Sequence, residues 1–402
     1  MQRVFLLLLT VFSLYACTAS LPHTPDVIKP EPPAVESSQP FFPAPVIEEP
    51  AASAVVGATP SPQISVDPNA VPHIALLLPL KSAAFGTAAD AVQQGFLAAA
   101  NIKKRALPVR IYGDYDENSS VVDVYRQAVA NGARAVVGPL TRNGVAALAA
   151  EQNIPVPTLA LNVVDIQPAQ QLYFFGLASE TEARRVAQLA KKQGLHQAIV
   201  IATRTQISQR LQFAFEEEWH ASGGMILREI EFSDDPAVLA DIIYTPDTVV
   251  FLAANAEKAR LIRPYLSNRF PVYSTSQIFV GNDKNLTNYD LSGIRFIDMP
   301  WLLQPDHAAV MIYPRANPPL SVDRERLYAL GIDAYRLVNL ILANRLDTGL
   351  PLDGVSGNIR LSGKNFLREP TLAVFQQGQA LMPGAASPDV PEVFPGRINA
   401  AP

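Results

Sequence analysis

Hydroxyl and amide side chains stand where apolar runs of this chain end, and their placement frames its chemistry. Ser82 follows Ile74-Ala75-Leu76-Leu77-Leu78-Pro79-Leu80, Thr141 and Asn143 follow Ala135-Val136-Val137-Gly138, and Asn162 follows Thr158-Leu159-Ala160. Thr203 and Ser276 close two later apolar runs in the same way. If such runs are parallel strands, their carboxyl ends face the crevice where α/β sheets bind ligands. Backed by helix N-termini, these six side chains suit a small polar or anionic molecule in a cleft. The same residue types also cap helices and shape turns, so a structural reading carries equal weight.

Residues for harder chemistry are missing. The five histidines (His23, His73, His196, His220, His307) are scattered without ligand spacing, which disfavours a zinc or histidine-based site. Neither phosphate-cradling glycine motif occurs after a strand, and no Gly-x-Ser-x-Gly elbow is present. Asp114-Tyr115-Asp116-Glu117-Asn118 opens like a calcium loop, but Ser119 stands where glycine is needed and Tyr125 where the closing glutamate belongs. It reads as a polar turn. The expectation is a protein that is not an enzyme and uses neither metal nor cofactor.

The single cysteine does suggest a covalent event. Met1-Gln2-Arg3 precedes the apolar run Val4–Leu9, which continues less purely to Leu14 and closes on Leu14-Tyr15-Ala16-Cys17. A basic start, a short apolar stretch and small residues describe an export signal, too short to span a bilayer. The closing string resembles the bacterial lipobox, which makes Cys17 the expected lipid attachment site, with signal residues 1–17. An exported chain with one thiol closes no internal disulfide. Thr18, rather than Asp, follows the cysteine, and by analogy with enterobacterial sorting this favours the outer membrane, facing the periplasm.

Composition bounds the rest. Of 402 residues 49% are hydrophobic and 17% charged, enough to build a large core. From His73 onward 30 Lys and Arg balance 31 Asp and Glu, so no basic footprint for nucleic acid exists. Thr18 to Pro72 carries 13 of the 35 prolines, which bars helix and central strand there. Residues 18–71 are expected to form a disordered, polyproline-rich tether, and 386–402 a disordered tail.

The elements that must position the strand-end residues follow from periodicity. The continuous apolar run at 74–80 reads as a strand buried on both faces; 109–112, 135–138 and 158–160 read as further strands, with helices over 88–102, 121–130 and 143–151 between them. After 173–176 the rhythm resumes. Ser179-Glu180-Thr181-Glu182 reads as a capping box, followed by strands at 198–201, 225–232, 248–252 and 272–274 and helices at 206–220, 237–243 and 256–266. Such alternation means two parallel sheets, each with helices on both faces.

At this point the chain resembles a known family. Ile74–Leu80, Gly86, Gly95-Phe96 and Val136-Val137-Gly138-Pro139-Leu140 resemble the first lobe of type I periplasmic binding proteins, the class of the branched-chain amino-acid receptors. Closer still is the branch of LppC/LpoA-type lipoproteins, the penicillin-binding-protein activators. Its pattern is carried by Ala160-Leu161-Asn162, by Tyr273-Ser274-Thr275-Ser276-Gln277-Ile278, and by Asp290 to Leu303 with its Asp298-Met299-Pro300-Trp301 segment. Arg326 to Tyr335 and Gly354 to Ile359 complete it.

The resemblance implies an α/β, two-lobed type I periplasmic-binding-protein clamp over 72–385. Lobe 1 is expected over 72–177 and 301–346, and lobe 2 over 178–300 and 347–385; composition alone reads Met299-Pro300-Trp301 as a buried crossover between them. It implies contact with a class A penicillin-binding protein, a peptidoglycan synthase, as the function. The alternative is a solute-binding lipoprotein of an ABC transporter for amino acids or similar small polar ligands. Two departures stand out: the family's helical-repeat domain gives way to the Pro-rich stretch, and the third strand is followed by Thr141-Arg142-Asn143 rather than a serine cluster.

Overall fold

A computed structural model describes residues 66–384 except 103–106, 117–118 and 167–168. The expected signal, Cys17, most of the 18–71 stretch and the tail at 386–402 therefore lie outside the described residues. Two mainly parallel sheets form the frame. The first begins with β1 (His73–Leu77), β2 (Val109–Tyr112), β3 (Ala133–Val137), β4 (Thr158–Ala160) and β5 (Leu172–Phe175). The second takes β6 (Gln197–Ala202), β7 (Met225–Glu231), β8 (Thr248–Ala253), β9 (Val272–Ser274) and β10 (Ile294–Asp298). The chain then returns to the first sheet with β11 (Leu352–Asp353), β12 (Asn358–Ser362) and β13 (Asn365–Glu369), and ends in the second with β14 (Thr371–Gln376) and β15 (Gln379–Leu381).

Strand order is β11-β12-β13-β5-β4-β3-β1-β2 in one sheet and β15-β14-β10-β9-β8-β6-β7 in the other. The central strands are apolar throughout because both faces are covered. Ile74 and Leu76 enter one core while Ala75 and Leu77 enter the opposite one, all fully buried. In the second sheet, Ile199 and Ile201 alternate with Ala198 and Val200 in the same manner.

Helices α1 (Gly86–Ile102), α2 (Val121–Ala130), α3 (Arg142–Ala149), α4 (Ser179–Lys192), α5 (Gln206–Ala221) and α6 (Ala256–Ile262) lie between strands. Short α7 (Asn285–Asn288), α8 (Pro300–Leu303) and α9 (Ala308–Met311) precede the long α10 (Val322–Leu342), which packs on α1. Glycine makes that contact close. A Cβ at Gly95 would lie 1.9 Å from the Tyr328 carbonyl oxygen, and one at Gly331 would lie 2.1 Å from that of Val92. No described helix is long and apolar enough to cross a membrane.

The chain passes between the sheets three times: after β5, after β10 and from β13 into β14. Met299 and Trp301, both buried, sit at the second passage. There Trp301 packs into the first core, and Leu302 touches cores of both sheets.

The expected assignment of 347–385 to the second lobe needs correction. β11 to β13 extend the first sheet, with Phe366 beside Phe175 and buried in the first core. A tight hairpin folds β12 back on β13, which carries the chain to the first sheet's edge before it leaves for β14. The helix expected over 237–243 is a 3-10 turn at Pro236–Leu239. The one expected over 256–266 stops at Ile262 and continues as a 3-10 turn through Pro264, since proline offers no amide to continue the α ladder.

Candidate functional site

Between the lobes lies a cleft of about 990 Å³, within the usual range for small-molecule sites. The first lobe contributes the loop after β2, the start of α3 and the loop after β4; the second contributes the N-terminal turn of α4 and one face of α5. Charges meet at its wall. Arg210, on α5, donates to Glu180 Oε1 through Nε at 2.7 Å and through Nη2. Arg142, on α3 in the opposite lobe, holds Nη1 3.9 Å from the same oxygen. Burial pushes the Glu180 carboxyl up, but its own backbone amide, Arg210 and Arg142 outweigh that and hold it below its ordinary value. Arg184, also on the wall, is paired with Glu217.

Three of the six expected ligand residues line this cleft: Thr141, Asn143 and Asn162. Two of these are partly occupied. Thr141 caps α3 by accepting from the Gly144 amide at 3.2 Å. Asn162 donates to the Leu140 carbonyl at 3.1 Å and accepts from the Val163 amide. The other three are absent from the lining, which corrects the expectation that all six share one cleft. Ser82 accepts from the Phe85 amide, and Thr203 pairs its hydroxyl with Thr205 and donates its amide to Ser208. Ser276 lies buried beside Glu182. Ser82 closes its own turn, whereas the Thr203 and Ser276 hydroxyls are taken up by the side chains of Thr205 and Glu182.

A second polar assembly, missed by the sequence reading, lies where the chain passes between sheets. Asp298 ends β10 and is fully buried. Arg326 of α10 reaches it through Nε at 3.2 Å to both oxygens and Nη2 at 2.6 Å, and also donates to the Ser276 and Phe279 carbonyls. The Met299 amide donates to Asp298 Oδ1. The hydrogen-bond partners of that carboxylate are all donors, but burial, the largest influence, and the nearby Glu182 charge push the carboxyl above its ordinary value against the pull of Arg326 and the Met299 amide. Burial works against the Arg326 charge, but Asp298 outweighs it and holds the guanidinium above its ordinary value.

Glu182 stands next to this pair. Ser179 does not cap α4; Ala178 occupies that position without a side-chain bond. Instead of reaching back, Glu182 accepts from the Ser276 amide and hydroxyl at 3.1 and 2.6 Å and from Arg368 of β13 at 2.7 Å. Asp333 of α10 is likewise fully buried and accepts from the Val355 and Ser356 amides, the Ser356 hydroxyl and Arg336. The only sequence signal for this assembly was the chain resemblance at 298–301 and 326–335; spacing carries none, because apart from Met299 and Arg336 the partners lie 22 to 186 residues apart.

Among the described residues no group of three or more His, Cys, Asp or Glu is placed to hold a metal ion. Comparison with known proteins follows the folded unit closely. A curated relative from Photobacterium profundum, named penicillin-binding protein activator LpoA, is 26% identical over 354 residues, covering 78% of this chain and 57% of its own length. The chain spans about half the length of the curated relatives it matches.

Among solved structures, the LpoA C-domain from Haemophilus influenzae superposes with a TM-score of 0.66 at 24% identity, covering 77% of this chain and 99% of that one. A protein from Chromobacterium violaceum, provisionally named a branched-chain amino acid ABC transporter, gives 0.65 at 37% identity, covering 75% and 99%. Both carry the two-lobed periplasmic-binding-protein-like fold. The LppC lipoprotein sequence pattern matches residues 63–247 and 244–378, and the chain belongs to the LppC lipoprotein family.

Proposed function

We propose that this protein is an outer-membrane lipoprotein that activates a class A penicillin-binding protein by contact, without catalysis of its own. The observation that carries this reading is the span of the similarity. Relatives named as penicillin-binding protein activators match 66% to 78% of the chain, and the family pattern runs over 63–378, the residues that fold into the two lobes. Cys17 is the lipid site in this reading, and the proline-rich residues 18–71 are a spacer. A spacer sets the effective concentration of the folded unit at a partner fixed elsewhere.

The test adds the intact lipoprotein, in detergent, to a purified class A synthase and follows glycan polymerisation and crosslinking. A rise in either rate is expected. In cells, Cys17→Ala is expected to leave the outer-membrane fraction; its recovery there at wild-type level would sink the anchor.

A second reading has one specific support. The Chromobacterium violaceum protein shares 37% identity along 99% of its length and is named for amino-acid transport. Unchanged synthase rates together with micromolar binding of an amino acid would install solute reception in place of activation.

A further inference from the structure

Buried polar atoms without a partner are few in folded proteins, because each gives up its hydrogen bonds to water for nothing in return. Among the described residues six such side-chain atoms occur. Three of them, Tyr115 Oη, Glu180 Oε2 and Asn365 Oδ1, belong to side chains that line the inter-lobe cleft. They come from three separate parts of the chain: the loop after β2, the first turn of α4 and the start of β13. Both lobes and the returning strand thus bring a side chain with an unused polar atom to the lining of one cavity.

Tyr115 is the clearest of the three. Its side chain is only 6% exposed, and burial with no hydrogen bond to offset it pushes the phenol above its ordinary value. A phenol buried for packing alone is normally replaced by phenylalanine or given a partner.

The unused atoms define what would satisfy them. Asn365 Oδ1 and ionised Glu180 Oε2 accept only, and Tyr115 Oη can donate or accept. A matching ligand therefore presents N–H or O–H groups. Charge narrows it further. Glu180 Oε1 already faces two guanidiniums, from Arg210 and Arg142, so a third cation there meets repulsion. Arg142 keeps its donors: its approach to Glu180 at 3.9 Å is longer than a hydrogen bond, and its side chain is 62% exposed. An anionic group fits beside it, particularly a planar carboxylate that takes two guanidinium N–H groups. An amino acid, whose ammonium would have to seek Glu180, fits this wall poorly.

We propose that the cleft binds a small acidic molecule rich in hydroxyl or amide groups, with its carboxylate against Arg142 and its donors toward Tyr115, Glu180 and Asn365. The polar atoms are shielded from bulk water in the present arrangement, and movement of one lobe against the other, as in hinged clamps, brings them onto the ligand. The assignment goes beyond activation of a synthase and does not depend on it.

Calorimetric titration of the full chain in detergent tests it with three probes. N-acetylmuramic acid carries a carboxylate, an amide and hydroxyls; N-acetylglucosamine lacks the carboxylate; isoleucine is a zwitterion without hydroxyls. The acid is expected to bind, the neutral sugar about tenfold more weakly, and isoleucine no better than the neutral sugar. Arg142→Gln should erase the advantage of the acid. Tyr115→Phe should weaken binding about tenfold while leaving the melting temperature of the ligand-free protein unchanged, since no native partner is lost. Absence of binding by all three probes overturns the proposal, as does a preference for isoleucine. A Tyr115→Phe protein that melts earlier yet binds normally would overturn it too, by showing that the hydroxyl serves the fold.

Discussion

Arg326 and Glu180 both draw charge away from bulk water, and their surroundings treat it differently. At the passage between sheets, Asp298, Glu182, Arg326, Arg368 and Asp333 are held by amides, carbonyls and each other, and none leaves an unpartnered buried atom. At the cleft wall, Tyr115, Glu180 and Asn365 each keep one. The first pattern is that of a set position, because every donor and acceptor has a single satisfying arrangement. The second is open to something added. One clamp thus separates the polar groups that fix its lobes from those that meet a visitor.

The largest effect should come from breaking the fixed side. Arg326→Met leaves Asp298 fully buried without its counter-charge and should cost about 3–5 kcal/mol, read as a lower midpoint in denaturant unfolding. Pairing it with Asp298→Leu should recover much of that loss, because replacing both ions is far cheaper than stranding one. A single variant as stable as the parent would remove the distinction between the two regions.

Glu182→Gln is the milder cut. The Ser276 contacts can persist in part, but Arg368 loses its charged partner, and a loss of about 2 kcal/mol is expected in the same measurement. Smallest is the acid response of the cleft. Glu180 is held below its ordinary 4.5, so its contribution is fully present above that pH and lost as pH falls through the depressed value. Melting temperatures scanned downward from pH 5 should therefore fall less steeply in Glu180→Gln than in the parent. Parallel curves would show that the Arg210 and Arg142 contacts are not felt in solution.

Much of the frame was legible because burial on both faces writes itself as uninterrupted apolar runs. His73–Leu77, Thr158–Ala160 and Val272–Ser274 are strands where those runs stand, and Val121–Ala130 is a helix over the expected residues. What failed was long-range. The sheet that takes β13 is chosen by Phe366 meeting Phe175, 191 residues apart in the chain, and no local pattern encodes that choice. Glu182 misled for a related reason. Its spacing from Ser179 is that of a capping box, yet burial beside Ser276 and Arg368 gives the carboxylate stronger partners than a helix-end amide. The cleft was half legible: Thr141, Asn143 and Asn162 are there, but the residues with unused atoms are a phenol, a helix carboxylate and a strand amide that strand-end logic does not single out.

The three passages between sheets also constrain how the protein is made. The first lobe cannot be finished when its first five strands have emerged, because Phe96 and Val92 still await α10, and β5 still awaits β13. Those parts lie beyond the whole of the second sheet's parallel strands, more than 120 residues downstream of β6. During synthesis or passage through an export channel, the earlier segment must stay unfinished with its apolar faces uncovered until the last fifth of the chain arrives. Neither lobe is a stage on which the other can wait, so a chain cut short before Val322 would leave a first lobe for holding chaperones or proteases rather than half a clamp.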